Sequence, residues 1–318
     1  MLDSRNFAAS AALGAVDLPA RIGVPGFMNA VVYVNGRITD ADHASIAVFD
    51  HGFLYGEGIY ETLRTYGREP FLFERHMARL RQSASLIALD VPYTDADLLG
   101  HARETMAAMP GLDEAYIRIL LTRGVGELSY NPAACPRPSL VIIVKPFPGQ
   151  PARTFTQGIR VSLVHVRRNH PDALNPQIKS NNLMNNALAM QEALRRGGEE
   201  ALMQNQAGEL AECSQSNFFL VRGGEVMTPP LSAGLLPGVT RAFVLELAAA
   251  IGLPARETRL TPDDLRTASE AFITGTTREV TPVVAVDELT IGTGQPGPTT
   301  RRLLEAFRAR VASGQVRS

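Results

Sequence analysis

Lysine stands at only two positions of this chain, 145 and 179, although Lys and Arg together number 31. Arginine stays protonated in a protein, whereas lysine can give up a proton and act as an amine nucleophile. Lys179 lies in NPQIKSNNLMNN, just ahead of a stretch with helical spacing that Ser180 or Asn181 would cap. Burial and the positive end of such a helix both disfavour an ammonium, which frees the amine to form a Schiff base. Position alone also fits a plain cation closing a turn. Glu212, in GELAECSQSNFF, sits among apolar strand residues. If buried, it needs a cationic or donor partner, and the protonated ring nitrogen of a cofactor is one; on an outer strand face it is simply solvated. LLPGVTRAF, 235–243, brings free backbone N–H groups and the Thr240 hydroxyl to a helix start, which makes an anion site. ITGTTRE, 273–279, is a second loop of small residues with two hydroxyls. An amine for an aldehyde, an acid for a ring nitrogen and donors for a phosphate together fit pyridoxal 5′-phosphate.

The elements that must position these groups form an α+β chain. AVVYVNGRITD carries a hairpin signal at Asn35-Gly36, and YETLRTYGREPFLF turns at Gly67. ERHMARLRQSASLIALD has Met77, Leu80, Ala84 and Ile87 on one helical face; DADLLGHARETMAAM is a second helix. AYIRILLTRG and PSLVIIVKPF read as buried strands. KPFPGQPAR, 145–153, is rich in Pro and Gly and reads as a linker. The expected organisation is an extension at 1–28, a small domain at 29–146, an interdomain link at 147–153 and a larger domain at 154–318. The larger unit opens with the strand GIRVSLVHVRR. After Lys179 comes a helix with Leu183, Ala187, Met190 and Leu194 on one face and Gly197-Gly198 as its stop. Hairpins then turn near Ala207-Gly208 and at Gly223-Gly224, and helices follow at GVTRAFVLELAAAIG and PTTRRLLEAFRARV.

Composition removes several other functions. A net charge of −1 gives no electrostatic reason to expect nucleic acid or an anionic membrane as partner. No stretch reaches the roughly 18 apolar residues of a membrane-spanning helix, and the first residues lack the pattern of a secretory signal. Two isolated cysteines, Cys135 and Cys213, build neither a disulfide framework nor a zinc site, and they suit a reducing cytoplasm. The six histidines show no metal-ligand spacing, so no metal is expected. GTGQPG, 292–297, spells a dinucleotide fingerprint, but too little chain follows it for a βαβ unit.

The blocks VNGRI, DHGFLYGEGIYETLRTY, RHMARL, YIRILLTRG, PQIKSNN, GELAECSQSNFF, LLPGVTR and ITGTTREVTPV stand in an order that resembles one family. It is the class IV, or fold type IV, pyridoxal phosphate aminotransferases, which include branched-chain and D-amino acid aminotransferases and aminodeoxychorismate lyase. The resemblance implies a small N-terminal α/β domain, a larger C-terminal pseudo-barrel α/β domain and a homodimer. It implies that Lys179 forms the internal aldimine and shuttles the proton, and that Glu212 pairs with the pyridine nitrogen. It gives the phosphate to Arg79, Val239, Thr240 and Thr276, one ring face to Leu236, and the substrate to Tyr55, Tyr60, Arg64, Tyr116, Arg118 and Thr277. The intact YIR around Arg118, and VGELSYNP where D-amino acid enzymes carry Arg-x-His, favour branched-chain L-amino acids with 2-oxoglutarate. Thr62, where branched-chain enzymes have glycine, and Leu183 point instead to a D-amino acid or (R)-amine transaminase. Arg278, where alanine is usual, suggests a second carboxylate anchor. A lyase would release pyruvate without an acceptor, and a cofactor-free binding protein would be colourless.

Overall fold

Asn35 and Gly36 adopt φ of 46° and 94° in the computed structural model, which describes residues 29–314. This left-handed pair closes a two-residue hairpin whose twist matches its strands. The chain runs β1 (Val31–Val34), β2 (Arg37–Asp40), α1 (His51–Leu54), β3 (Gly58–Tyr66), β4 (Glu69–Pro70), α2 (Phe73–Leu86), α3 (Asp95–Ala107), β5 (Ala115–Thr122) and β6 (Ser139–Pro146). These strands make one six-stranded antiparallel sheet in the order β2-β1-β6-β5-β3-β4. One face of the sheet carries Ile59, Leu63, Ile117, Ile119 and Ile142, which α2 and α3 cover with Met77, Leu80 and Leu98. Side chains alternate along a strand, so Tyr60, Thr62 and Arg64 point to the other face.

The second half comprises α4 (Ala152–Thr156), β7 (Ile159–Leu163), α5 (Met184–Arg195), β8 (Glu200–Gln204), β9 (Leu210–Cys213), β10 (Asn217–Arg222), β11 (Glu225–Thr228), α6 (Val239–Ala250), β12 (Ala255–Glu257), β13 (Glu270–Gly275), β14 (Glu279–Val286), β15 (Leu289–Thr290) and α7 (Pro298–Ala312). Its nine strands follow the order β12-β11-β10-β13-β14-β7-β8-β9, with β15 beside β14. The sheet curls until its far edge returns to its middle, where Cys213 N–H donates to Ser216 O at 2.8 Å. Phe218, Leu220 and Ile273 fill the inside of the curl. Phe219, Phe272, Phe243 and Phe307 pack outside it under α6 and α7, and Leu72, which caps the start of α2 in the first half, joins this cluster. Burying each such ring contributes about 1.5–3 kcal/mol, so this layer also ties the two sheets together.

One local expectation is corrected, and another gains its meaning. The helix after Lys179 begins only at Met184, and neither Ser180 nor Asn181 caps it; the Ser180 hydroxyl instead accepts the Asn182 N–H at 3.0 Å. The face of α5 that meets the core is Ala189 and Ala193. Leu183, Ala187, Met190 and Leu194 form a real apolar stripe, but it lines a cavity rather than the core.

Candidate functional site

Between the two sheets lies a cavity of about 570 Å³. Its walls include Lys179, Glu212, Arg79, Leu236, Val239, Thr240, Thr276, Thr277, Tyr60, Tyr116 and Arg118. The segment carrying Lys179 pairs with the edge of β3 through one isolated antiparallel bridge, between Ser180 and Ile59. Lys179 O accepts the Tyr60 N–H at 2.9 Å, and Asn181 N–H donates to Gly58 O at 2.9 Å. Lys179 N–H donates to Ser83 Oγ at 3.1 Å. These bonds fix the backbone and leave the side chain free, with Nζ 4.4 Å from the centroid of the Tyr60 ring. The helix dipole expected behind it does not act there, because α5 starts five residues later.

Glu212 is buried in β9, as its functional reading requires. Burial holds its carboxyl above the usual carboxylate range, and the charge and hydrogen bond of Arg168 offset this only in part. Arg168 Nε donates to Oε1 at 2.8 Å; Oε2 accepts from Leu236 N–H at 3.1 Å and from Asn217 Nδ2 at 3.3 Å. Arg168 and Asn217 were not singled out in the sequence. A second arginine directly after Arg167 carried no local signal, but an asparagine inside the strand NFFLVR is a polar group that needs a partner.

Arg79, on α2, reaches across from the first half. Its Nε and Nη2 donate to the two oxygens of Glu61 at 2.8 and 2.7 Å, and Nη1 donates to Pro237 O at 3.0 Å. Three of the five guanidinium N–H groups are thus engaged, and the remaining two are available to an anion in the cavity. Burial alone would raise the Glu61 carboxyl, but Arg79, helped by His76 at 2.7 Å, outweighs it and holds the group at about 2. Between about pH 4.5 and pH 2 the unfolded chain therefore binds more protons at this group than the folded one. Its stabilising contribution is complete above that window and is lost as pH falls through it. Glu61→Gln is expected to cost about 3–5 kcal/mol near neutral pH by stranding a buried guanidinium. The difference in urea midpoint between variant and parent should shrink on acidification; a difference that grows refutes the pairing.

The loop that Arg79 reaches leads into a second feature suited to an anion. Val239 and Thr240 open α6, and Gly238, its N-cap, offers no side-chain cap of its own. A Cβ on Gly238 would lie 1.9 Å from Asn217 Oδ1, so only glycine fits between the loop and β10. Thr274 Oγ1 is buried without a partner among the described residues and lies on the cavity wall. Sequence reasoning passed over Thr274. Amine, buried carboxylate, paired arginine, helix start and orphan hydroxyl converge on one space, and this donor set fits pyridoxal 5′-phosphate.

The expected substrate residues divide. Tyr60, Thr62, Tyr116, Arg118 and Thr277 line the cavity. The Arg118 guanidinium lies 4.0 Å over the Tyr60 ring, and its Nε is buried without an acceptor among the described residues. Arg64 is not part of the wall. It shares a face with Tyr60 and Thr62, but Glu279 captures its Nη1 at 2.9 Å. Tyr55 also stands outside this chain's cavity; it ends α1 and packs against His51 and Tyr130, at 4.9 and 5.2 Å between ring centroids. Arg278, expected as a second carboxylate anchor, faces buried Glu200 at 4.0 Å and does not line the cavity. No cluster of metal-binding side chains occurs among the described residues.

Comparison with known proteins agrees with this geometry. The model of the amino-transferase class IV family matches residues 58–286. A Methanocaldococcus jannaschii protein, provisionally named a branched-chain-amino-acid aminotransferase, is 39% identical over 277 residues, covering 87% of this chain and 95% of its own. D-alanine aminotransferase of Staphylococcus haemolyticus is 31% identical, covering 89% of this chain and 98% of its own. Branched-chain aminotransferase of Thermoproteus uzoniensis, solved with norvaline, superposes with a TM-score of 0.82 at 34% identity, over 89% of this chain and 95% of that one. A T.th. branched-chain amino acid aminotransferase, solved with pyridoxamine 5′-phosphate, gives 0.85 at 29% identity, over 90% and 95%. The chain belongs to the class IV aminotransferases: it is a pyridoxal-phosphate-dependent transaminase of fold type IV.

Proposed function

We propose that the enzyme transfers the amino group of branched-chain L-amino acids to 2-oxoglutarate. The observation that carries this reading is Arg118, a cavity-lining cation whose buried Nε has no partner among the described residues, in a cavity whose lining also includes Leu174, Ile178, Leu183 and Met190. The wall accepts an apolar side chain, and the cation accepts the second carboxylate of the alternate substrate. A second reading, transamination of D-amino acids, draws on Thr62, whose Oγ1 lies 3.5 Å from Tyr116 Oη and narrows the wall where branched-chain enzymes have glycine.

In this reading Arg79, Val239, Thr240 and Thr276 hold the phosphate, Leu236 backs one ring face, and Glu212 meets the ring nitrogen. Pyridoxal 5′-phosphate, when bound, supplies an electrophilic aldehyde and an electron sink. Lys179 Nζ would take the proton from the substrate α-carbon and, as acid, deliver it to the carbon that the cofactor's aldehyde supplies. Glu212 keeps a positive charge at the ring nitrogen favourable, because Arg168 and the Leu236 N–H stabilise its carboxylate. Thr277 and its turn hold the α-carboxylate, which orients the bond to be broken.

Arg118→Met is expected to raise KM for 2-oxoglutarate about 10- to 100-fold, while KM for leucine stays within about threefold. A panel of L- and D-amino acids with 2-oxoglutarate and pyruvate decides the donor. Turnover of D-alanine with no turnover of L-leucine overturns the branched-chain reading. The same reading takes residues 29–146 and 154–318 as two domains linked at 147–153, in a cytoplasmic homodimer. Val48, Phe49, Phe53, Leu128 and Tyr130, all exposed in the single chain, support a second copy as partner. No helix among the described residues is long and apolar enough to cross a membrane.

A further inference from the structure

Glu279 is the first residue of β14 and directly follows the Thr276–Arg278 turn. It is buried, and its φ of +51° is in the left-handed region, which is costly for a residue with a Cβ. Such a conformation persists where the surroundings over-determine it, and here four donors do. Arg64 Nη1 and the Tyr66 hydroxyl reach Oε1, both at 2.9 Å. Arg308 Nε and Nη2 reach Oε2 at 3.0 and 2.9 Å. The Arg64 guanidinium is itself sandwiched, 3.9 Å from the Tyr66 ring centroid and 4.9 Å from that of Phe147. The turn ahead of Glu279 is tied at further points. Arg278 N–H donates to Gly275 O at 3.0 Å, Thr281 Oγ1 to Arg278 O at 2.6 Å, and Gln150 Nε2 to Thr277 O at 3.1 Å. Thr276 and Thr277 thus present their groups to the cavity from a turn anchored in the other sheet through a buried ion pair between residues 215 positions apart.

We propose that Arg64 and Glu279 are positioning residues: their ion pair fixes the Thr276–Thr277 turn, and so sets the grip on the cofactor phosphate and the substrate α-carboxylate, without touching either. This rests on the proposed roles of Thr276 and Thr277. It replaces the substrate contact that the family resemblance implied for Arg64. A displacement of about 1 Å in a group that grips a reactant can cost up to about a hundredfold.

Three variants of the full-length enzyme test the idea: Arg64→Met, Glu279→Gln and Thr276→Val. Two readouts are taken, the dissociation constant of pyridoxal 5′-phosphate from absorbance titration of the apoenzyme, and the split between KM and kcat. Arg64→Met and Glu279→Gln should each weaken cofactor binding about tenfold or more and raise KM for leucine and 2-oxoglutarate alike, with smaller changes in kcat. The double variant should be no worse than the poorer single one, because the two residues act as one pair. Arg64→Lys, which keeps the charge and packs in the same slot, should recover most of the loss. If Arg64→Met does not fold, half-exposed Arg308→Met, which removes two of the four donors to Glu279, serves as the test variant and should weaken cofactor binding in the same sense. A rise in KM confined to 2-oxoglutarate overturns the proposal by returning Arg64 to the substrate. Unchanged binding in folded Arg64→Met and Glu279→Gln overturns it while Thr276→Val still weakens binding. If Thr276→Val also leaves binding unchanged, the role given to the turn itself fails, and the proposal with it.

Discussion

Lys179→Arg should abolish transamination, by about 10⁴-fold or more, in a protein that still folds and still binds cofactor. The backbone at 179 is held by Tyr60 N–H and Ser83 Oγ, neither of which depends on the side chain, so the segment stays in place. Nζ lies over the Tyr60 ring, and no carboxylate among the described residues is within ion-pair distance of it. Arginine fits the same space and keeps the charge, but it cannot give up the proton that the chemistry moves. Charge alone therefore predicts a tolerated substitution, and chemistry predicts a dead one. Borohydride reduction followed by peptide mass mapping should fix the cofactor to the residue 179 peptide in the parent and not in the variant. Retention of a tenth of the parent rate by Lys179→Arg would remove Lys179 from the centre of the mechanism.

What the sequence revealed of this site follows from the range of each interaction. A lysine in an arginine-rich chain, Pro-Gly at a helix start and a carboxylate among strand residues are local patterns, and all three fall on the cavity wall. Arg168 lies 44 positions from Glu212, and nothing within its own segment marks it as that residue's counterion. Glu61 did leave a trace: it sits between Ile59 and Leu63 on the inward face of β3, where an unpaired carboxylate is untenable. Its partner is 18 positions away on α2, which puts Arg79 under a different pattern. Arg64 misleads for the complementary reason. Alternation places it on the cavity face of the sheet, and only the folded chain brings Glu279 to claim it. Along α5, periodicity correctly found an apolar stripe but could not distinguish a stripe packed in the core from one lining a cavity. The linker signal in KPFPGQPAR was also partly overridden, because Lys145 and Pro146 complete the ladder of β6 opposite Tyr116 and Ala115.

Glu212→Gln should lower kcat about 10²- to 10³-fold, by removing the one carboxylate placed to stabilise a positive charge at the ring nitrogen. The glutamine keeps the shape and can still accept from the Leu236 N–H, so the cavity should survive. Stability should nevertheless suffer, because Arg168 is buried and Nε loses its charged acceptor. Stranding one member of such a pair costs about 3–5 kcal/mol, whereas removing both leaves no uncompensated charge. Adding Arg168→Met to Glu212→Gln should therefore restore much of the urea midpoint and none of the activity. That divergence separates the two tasks of the carboxylate, since Arg168 needs it for folding and the cofactor ring needs it for catalysis. If the double variant recovers rate along with stability, the loss in Glu212→Gln was a folding defect, and the ring nitrogen must find its anion elsewhere. If the single variant keeps its full rate, Glu212 is only the counterion of Arg168.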